Sequence, residues 1–178
     1  VPLNCFMFIQ ETTPNDLHDL EKKLRLIQFR GGTAAVYMEP VGPESGTTPI
    51  TVEYVKGVER LCRKYGALLV FDEVVTGFRI GMAGAQGYFG VSPDLTIFGK
   101  VIAGGYPGAG GIGGKREYMK YLGAGLDSSG KKIHKALVGG TMTANPLSCC
   151  AGYFTLEEIE RTNACQKAGQ MGDRICAG

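Results

Sequence analysis

The stretch Ala67-Leu68-Leu69-Val70-Phe71-Asp72-Glu73 decides the fold. Its apolar residues run without polar alternation for the length of one strand, which predicts a strand buried on both faces, as in a parallel sheet. It closes on a carboxylate, Asp72. A second stretch, Asp94-Leu95-Thr96-Ile97-Phe98-Gly99-Lys100, has the same character and closes on an amine. Open α/β sheets bind ligands at the carboxyl ends of their strands. Two opposite ionisable groups are therefore expected together at that edge.

Working outward, Ala34 to Glu39 reads as a short buried strand and Thr51 to Tyr65 as a helix, with Val55, Val58, Leu61, Cys62 and Tyr65 on its inner side. Gly66 is placed to end that helix. Strand, helix and strand from Ala34 to Asp72 form a βαβ unit, which implies parallel pairing. Further upstream, Leu17, Leu20, Leu24 and Ile27 recur at helical spacing, predicting an amphipathic helix over 15–29. Thr13-Pro14 is its expected start and Gly31-Gly32 its end. Pro40 to Pro49 is a loop, and Gly77 to Ser92 reads as irregular. Beyond Lys100 a short strand is expected near Gly111 to Gly113, a short helix over Lys115 to Leu122 and a polar loop over 123–140. A long helix follows from Asn145-Pro146 to about Glu160, then a helical tail. The fold class is α/β, three-layer, with a mainly parallel sheet.

The 178 residues suffice for one domain with a core. A hydrophobic fraction of 44% with 20% charged residues is that of a globular protein. The net charge of +2 is too weak to argue for nucleic acid or an anionic membrane as partner, and neither is expected. No apolar run approaches the roughly 20 residues that span a bilayer. The cysteines, including Cys5 and the adjacent Cys149-Cys150, form neither a CxxC zinc pair nor a disulfide framework. Reduced, mostly buried thiols in a cytosolic setting are expected, and no metal site is. The chain begins at Val1 with no signal-peptide pattern, which reads as a piece of a longer chain.

A carboxylate and an amine at adjacent strand ends suit pyridoxal phosphate chemistry. The lysine can form a Schiff base, and the acid can keep the pyridine nitrogen protonated. Taken alone, an Asp-Glu pair at a strand end is more often a structural carboxylate capping a loop or binding a metal. A lone lysine is more often on a solvated face. An apolar setting, such as Val101-Ile102-Ala103 could provide, would lower its pKa for such chemistry. The run Gly108-Ala109-Gly110-Gly111-Ile112-Gly113 matches GxGxxG, but it opens no convincing helix and lacks the acidic partner of a dinucleotide site. Gly114-Lys115 precedes Arg116, not the Ser or Thr of a P-loop. Gly139 to Pro146 places hydroxyls and amides before a helix, either to bind phosphate or for ordinary N-capping by Thr143 or Asn145.

In order along the chain stand Glu39-Pro40, Phe71 to Arg79, Gly84 to Gly90, Ser92 to Ile102, Gly111 to Met119 and Gly140 to Pro146. This series closely resembles the class III, ω-aminotransferase-like, fold-type I pyridoxal phosphate enzymes, nearest in look to the glutamate-1-semialdehyde aminomutases and their aminotransferase relatives. The resemblance covers 34 to about 160. It implies the large domain of a pyridoxal 5'-phosphate-dependent transferase, acting on small amino and keto or aldehyde substrates as a cytoplasmic homodimer with a shared active site.

By the same resemblance, Lys100 matches the Schiff-base lysine that also shuttles the substrate proton. Asp72 matches the partner of the pyridine nitrogen, and Val74 the residue packed on one ring face. Thr141 matches a threonine that reaches the phosphate of the neighbouring subunit. Two positions pull toward different branches. ω-Aminotransferases carry Gln where this chain has Val75, and an apolar residue there is similar to the aminomutases. Glu44 instead aligns with a substrate-side glutamate of the aminotransferases, where a solvated loop acid is the alternative. Gly104 to Gly114 departs from the usual aminomutase run. The family's phosphate loop and second ring-stacking aromatic lie upstream of the matched region, and its small C-terminal domain lies downstream. Residues 1–178 are therefore expected to be the central and C-terminal part of the large domain. Amino-group transfer is the leading expectation, a 2,1-aminomutase the second, and a truncated domain inactive on its own the third.

Overall fold

The computed structural model describes residues 8–123, 125–126, 129–132 and 135–178. Four strands make one sheet: β1 (Ala35–Met38), β2 (Leu68–Asp72), β3 (Leu95–Phe98) and β4 (Gly111–Gly114), in that spatial order. β1, β2 and β3 are parallel and β4 returns antiparallel to β3. The sheet is thus mainly parallel, as expected from the βαβ reading.

Helix α1 (Leu17–Ile27) begins later than Thr13-Pro14 suggests. Asp16 is its N-cap, and its carboxylate accepts the amide of Asp19 at 2.9 Å. A side-chain acceptor satisfies an otherwise orphaned helix N–H, which Pro14 cannot do. A short 3-10 turn (Gln28–Arg30) and Gly31, at φ 100°, end the segment. The loop after β1 contains a short helix, α2 (Pro43–Gly46). Helix α3 (Val52–Tyr65) is capped by Thr51, and Gly66 takes the left-handed conformation at its end.

One face of the sheet carries the core. Leu69 and Phe71 of β2 pack with Leu20 and Leu24 of α1 and with Val55, Val58 and Cys62 of α3. Val36 and Met38 join this cluster from β1, whereas Ala35 and Tyr37 on the opposite face are exposed. The expectation of a buried first strand is corrected accordingly: β1 is the edge of the described sheet, and only its core-facing residues are covered.

The stretch 77–92 is not irregular throughout, because Gly84–Phe89 forms helix α4. Asp94 ties three strands together. Its Oδ2 accepts the amide of Leu69 at 2.8 Å, and its Oδ1 pairs with the Lys115 ammonium at 2.5 Å. Helix α5 (Arg116–Met119) runs into a 3-10 turn (Lys120–Leu122). The loop 123–140 lies partly outside the described residues, as does Cys5. Helix α6 (Pro146–Thr162) is capped by Asn145, which accepts the amide of Ser148 at 2.9 Å. Asn163 breaks the helix before α7 (Ala164–Cys176). Of the described cysteines only Cys62 is buried, while Cys149, Cys150 and Cys176 are exposed. The expectation of mostly buried thiols fails because α6 and α7 turn those residues to solvent.

Candidate active site

Side chains alternate across a strand, so the consecutive acids Asp72 and Glu73 leave β2 on opposite faces of the sheet. Asp72 closes β2 in register with Ile97 of β3. Its Oδ1 accepts the backbone amide of Val74 at 2.9 Å. Its Oδ2 accepts the hydroxyl of Tyr37, from the neighbouring strand. Asp72 is half-buried.

Lys100 is not the last residue of β3 as the sequence suggests. It opens a 3-10 turn (Lys100–Ala103) after Gly99, with a left-handed φ of 51°. A non-glycine residue held there costs on the order of 1–3 kcal/mol and persists only where its surroundings dictate it. Here the surroundings are α6. A Cβ on Gly104 would lie 2.5 Å from the backbone of Ala151, and one on Gly152 would collide with the Ile102 carbonyl. Backbone thus packs on backbone just beyond Lys100. The Lys100 side chain is exposed, so an apolar pocket around the amine is not present in this structure.

Val74 connects the two. A Cβ on Gly99 would lie 3.1 Å from Val74 Cγ1, so the valine rests directly on the residue before Lys100. Phe78, itself at a left-handed φ of 60°, sets its ring 5.6 Å from that of Phe98. Asp72, Val74 and the Gly99-Lys100 backbone therefore lie at the carboxyl ends of β2 and β3.

Two other expected residues stand apart. Glu44 is exposed on α2, with a φ of 53°. Thr141 is exposed in the turn that precedes α6. Among the described residues no hydrogen bond or ion pair joins either of them to Asp72 or Lys100. The residues 108–113 lead into β4 and open no helix.

Tyr37 and Glu73 are not among the expected site residues, and both matter here. Partial desolvation of its hydroxyl first, then the Asp72 carboxylate, pushes the phenol of the otherwise exposed Tyr37 up to about 12. Glu73 is 1% exposed. It accepts the amide of Ala85 at 2.6 Å and contacts Thr76 Oγ1 at 3.3 Å and Gln86 Nε2 at 3.3 Å. Gln86 in turn donates to Thr96 of β3 at 3.2 Å. The loop-capping role that an isolated strand-end acid suggests thus falls to Glu73, leaving Asp72 on the open face. Strand alternation is the signal that separates them, while Tyr37 required the pairing register.

Asp72 at the end of β2, the Gly99-Lys100 backbone just beyond β3 and Val74 resting on Gly99 thus stand at the carboxyl edge of a mainly parallel α/β sheet. Residues 2–178 match the family described as Aminotransferase class-III, and the chain belongs to that family. It is 43% identical over 155 residues to the glutamate-1-semialdehyde 2,1-aminomutase of Legionella pneumophila (strain Paris), covering 86% of this chain and 34% of that protein. Among solved structures it resembles an omega-transaminase from Sphaerobacter thermophilus, with TM-score 0.67, 36% identity and coverage of 82% and 31% of the two chains. A transaminase with PLP bound is also similar, with TM-score 0.69, 31% identity and coverage of 83% and 33%. The chain spans about a third of the length of the curated relatives it matches. Among the described residues no helix is long and apolar enough to cross a membrane, and no cluster of potential metal ligands occurs.

Proposed function

We propose that these residues form the central and C-terminal part of the large domain of a pyridoxal phosphate enzyme. Its reaction is transfer of an amino group between an amine or amino acid and a carbonyl compound. The observation that supports this is the placement of Asp72 and Lys100 at neighbouring strand ends, with Val74 lying on Gly99.

The donor set fits the cofactor. A carboxylate has about four lone-pair sites, and two donors engage Asp72, so it can still accept from a pyridine N–H. The exposed Lys100 amine can be reached by an aldehyde arriving from solvent. Asp72 would hold the proton on the ring nitrogen, Val74 would pack on one ring face, and Lys100 would serve as the Schiff-base lysine. When bound, the cofactor supplies an electron sink for carbanion chemistry. Lys100 Nζ would take the proton from the substrate carbon and return it, a general base and then a general acid. Thr141, exposed before α6, would reach the phosphate of a neighbouring subunit, making a homodimer with a shared site. Glu44 would stand on the substrate side. A cytoplasmic location belongs to this reading.

A second reading, a 2,1-aminomutase acting on an amino-aldehyde, is favoured by the apolar Val75 and by the aminomutase relative. Amino-donor assays on the full-length protein separate the two. A transaminase yields a keto acid and leaves the amine on the cofactor, whereas a mutase conserves the substrate's amine.

The test of both is the intact mass of the full-length protein after pyridoxal phosphate addition and borohydride reduction, with Lys100→Ala in parallel. One phosphopyridoxyl adduct on the parent and none on the variant is expected. Equal labelling of the two would overturn the assignment of Lys100.

A further inference from the structure

Tyr37 lies in none of the stretches that carry the family resemblance. It sits on β1 in register with Val70, so the two share a face of the sheet. Asp72 is two residues beyond Val70 and returns to that face. A diagonal neighbour on an adjacent strand is within reach of a long aromatic side chain, and the Tyr37 hydroxyl donates to Asp72 Oδ2. The amide of Val74 holds the other oxygen. Two donors from separate segments therefore define both the direction and the rotation of this carboxylate.

We propose that Tyr37 is a positioning residue for Asp72: its hydroxyl aims the carboxylate at the ring nitrogen of the cofactor. The proposal rests on the reading of Asp72 as the partner of that nitrogen. The phenol is suited to this because partial desolvation of the hydroxyl, then the neighbouring carboxylates of Asp72 and Glu39, keep it protonated well beyond neutral pH. Tyrosine is thus a permanent donor at this place, where a histidine would switch.

The test uses the full-length protein with Tyr37→Phe, Asp72→Asn and the double variant. Pyridoxal phosphate affinity is measured by absorbance on reconstitution, and tyrosine titration by carbon NMR of ring-labelled, cofactor-free protein. Tyr37→Phe should weaken cofactor binding by about tenfold, the size of a lost charge-assisted hydrogen bond. The double variant should be little worse than Asp72→Asn alone, because the two act as one unit. In the cofactor-free protein the Tyr37 signal should titrate well above an ordinary tyrosine and move down in Asp72→Asn. The proposal is overturned if Tyr37→Phe binds the cofactor like the parent while Asp72→Asn does not. It is equally overturned if the Tyr37 titration ignores Asp72→Asn. If Asp72→Asn itself binds normally, the reading of Asp72 is at fault, and the proposal falls with it.

Discussion

The carboxylate of Glu73 accepts the backbone amide of Ala85 at 2.6 Å, in a place where Glu73 is 1% exposed and Ala85 fully covered. This bond crosses from the end of β2 to the first turn of α4 and closes the loop that carries Val74 and Phe78. Replacing Glu73 by Ala would leave the Ala85 amide and the Thr76 hydroxyl without their buried acceptor. A loss of about 2–4 kcal/mol is expected. Glu73→Gln keeps one oxygen for Ala85 and should lose less. Urea unfolding of the full-length protein checks this, and equal stability of Glu73→Ala and the parent would refute it.

Gly152 of α6 has no room for a side chain, because a Cβ would meet the carbonyl of Ile102. Helix propensity favours Ala over Gly by about 1 kcal/mol. Overpacking against a rigid backbone costs about 1–3 kcal/mol or more, so packing wins. Gly152→Ala should lower the thermal midpoint. Displacing the turn that begins at Lys100 should also slow borohydride-trapped labelling of that lysine. A stabilised variant with normal labelling would show that α6 does not set the Lys100 backbone.

At Gly99 the conflict is milder. Its φ of −161° is open to any residue, and the nearest obstacle to a Cβ is the movable side chain of Val74, at 3.1 and 3.3 Å. Gly99→Ala should therefore change stability by about 1 kcal/mol or less. It should nevertheless weaken pyridoxal phosphate retention, since Val74 must turn toward the cofactor side. Comparing the unfolding midpoint with cofactor release on dialysis separates these effects.

Burial, and secondarily the carboxylates of Asp94 and Glu59, push the Cys62 thiol up to about 12. In the native protein at pH 8, Cys62 should resist iodoacetamide while the exposed Cys149, Cys150 and Cys176 react, which peptide mapping by mass spectrometry can read. The sign for stability follows. A thiol that keeps its proton longer when folded contributes stability that is complete below its ordinary value of 9.0. That contribution fades as pH rises toward about 12. Cys62→Ala should flatten this alkaline decline.

Local chemistry made much of the fold legible. Helical spacing, Gly66 and the Asn145-Pro146 start all act within a turn or two, so α3 and α6 stand close to where the sequence places them. The apolar runs marked β2 and β3 as interior strands for the same reason. Helix α4 was not legible, because its N-terminal amides are satisfied by Glu73 from 12 positions away. Asp16 displaced Pro14 as the start of α1 because a capping acceptor outweighs a favourable φ.

The sequence by itself determined which strands form and which ionisable groups stand at or just beyond their ends, Asp72 and Lys100, since periodicity and side-chain chemistry are properties of short segments. Only the tertiary structure decided what surrounds those groups. Pairing register brought Tyr37 to Asp72, the first turn of α4 met Glu73 with its amides, and α6 packed against the turn after Lys100, where its backbone is left-handed. These arrangements join segments far apart in the chain. They rest on strand register and close packing, which no local stretch encodes on its own.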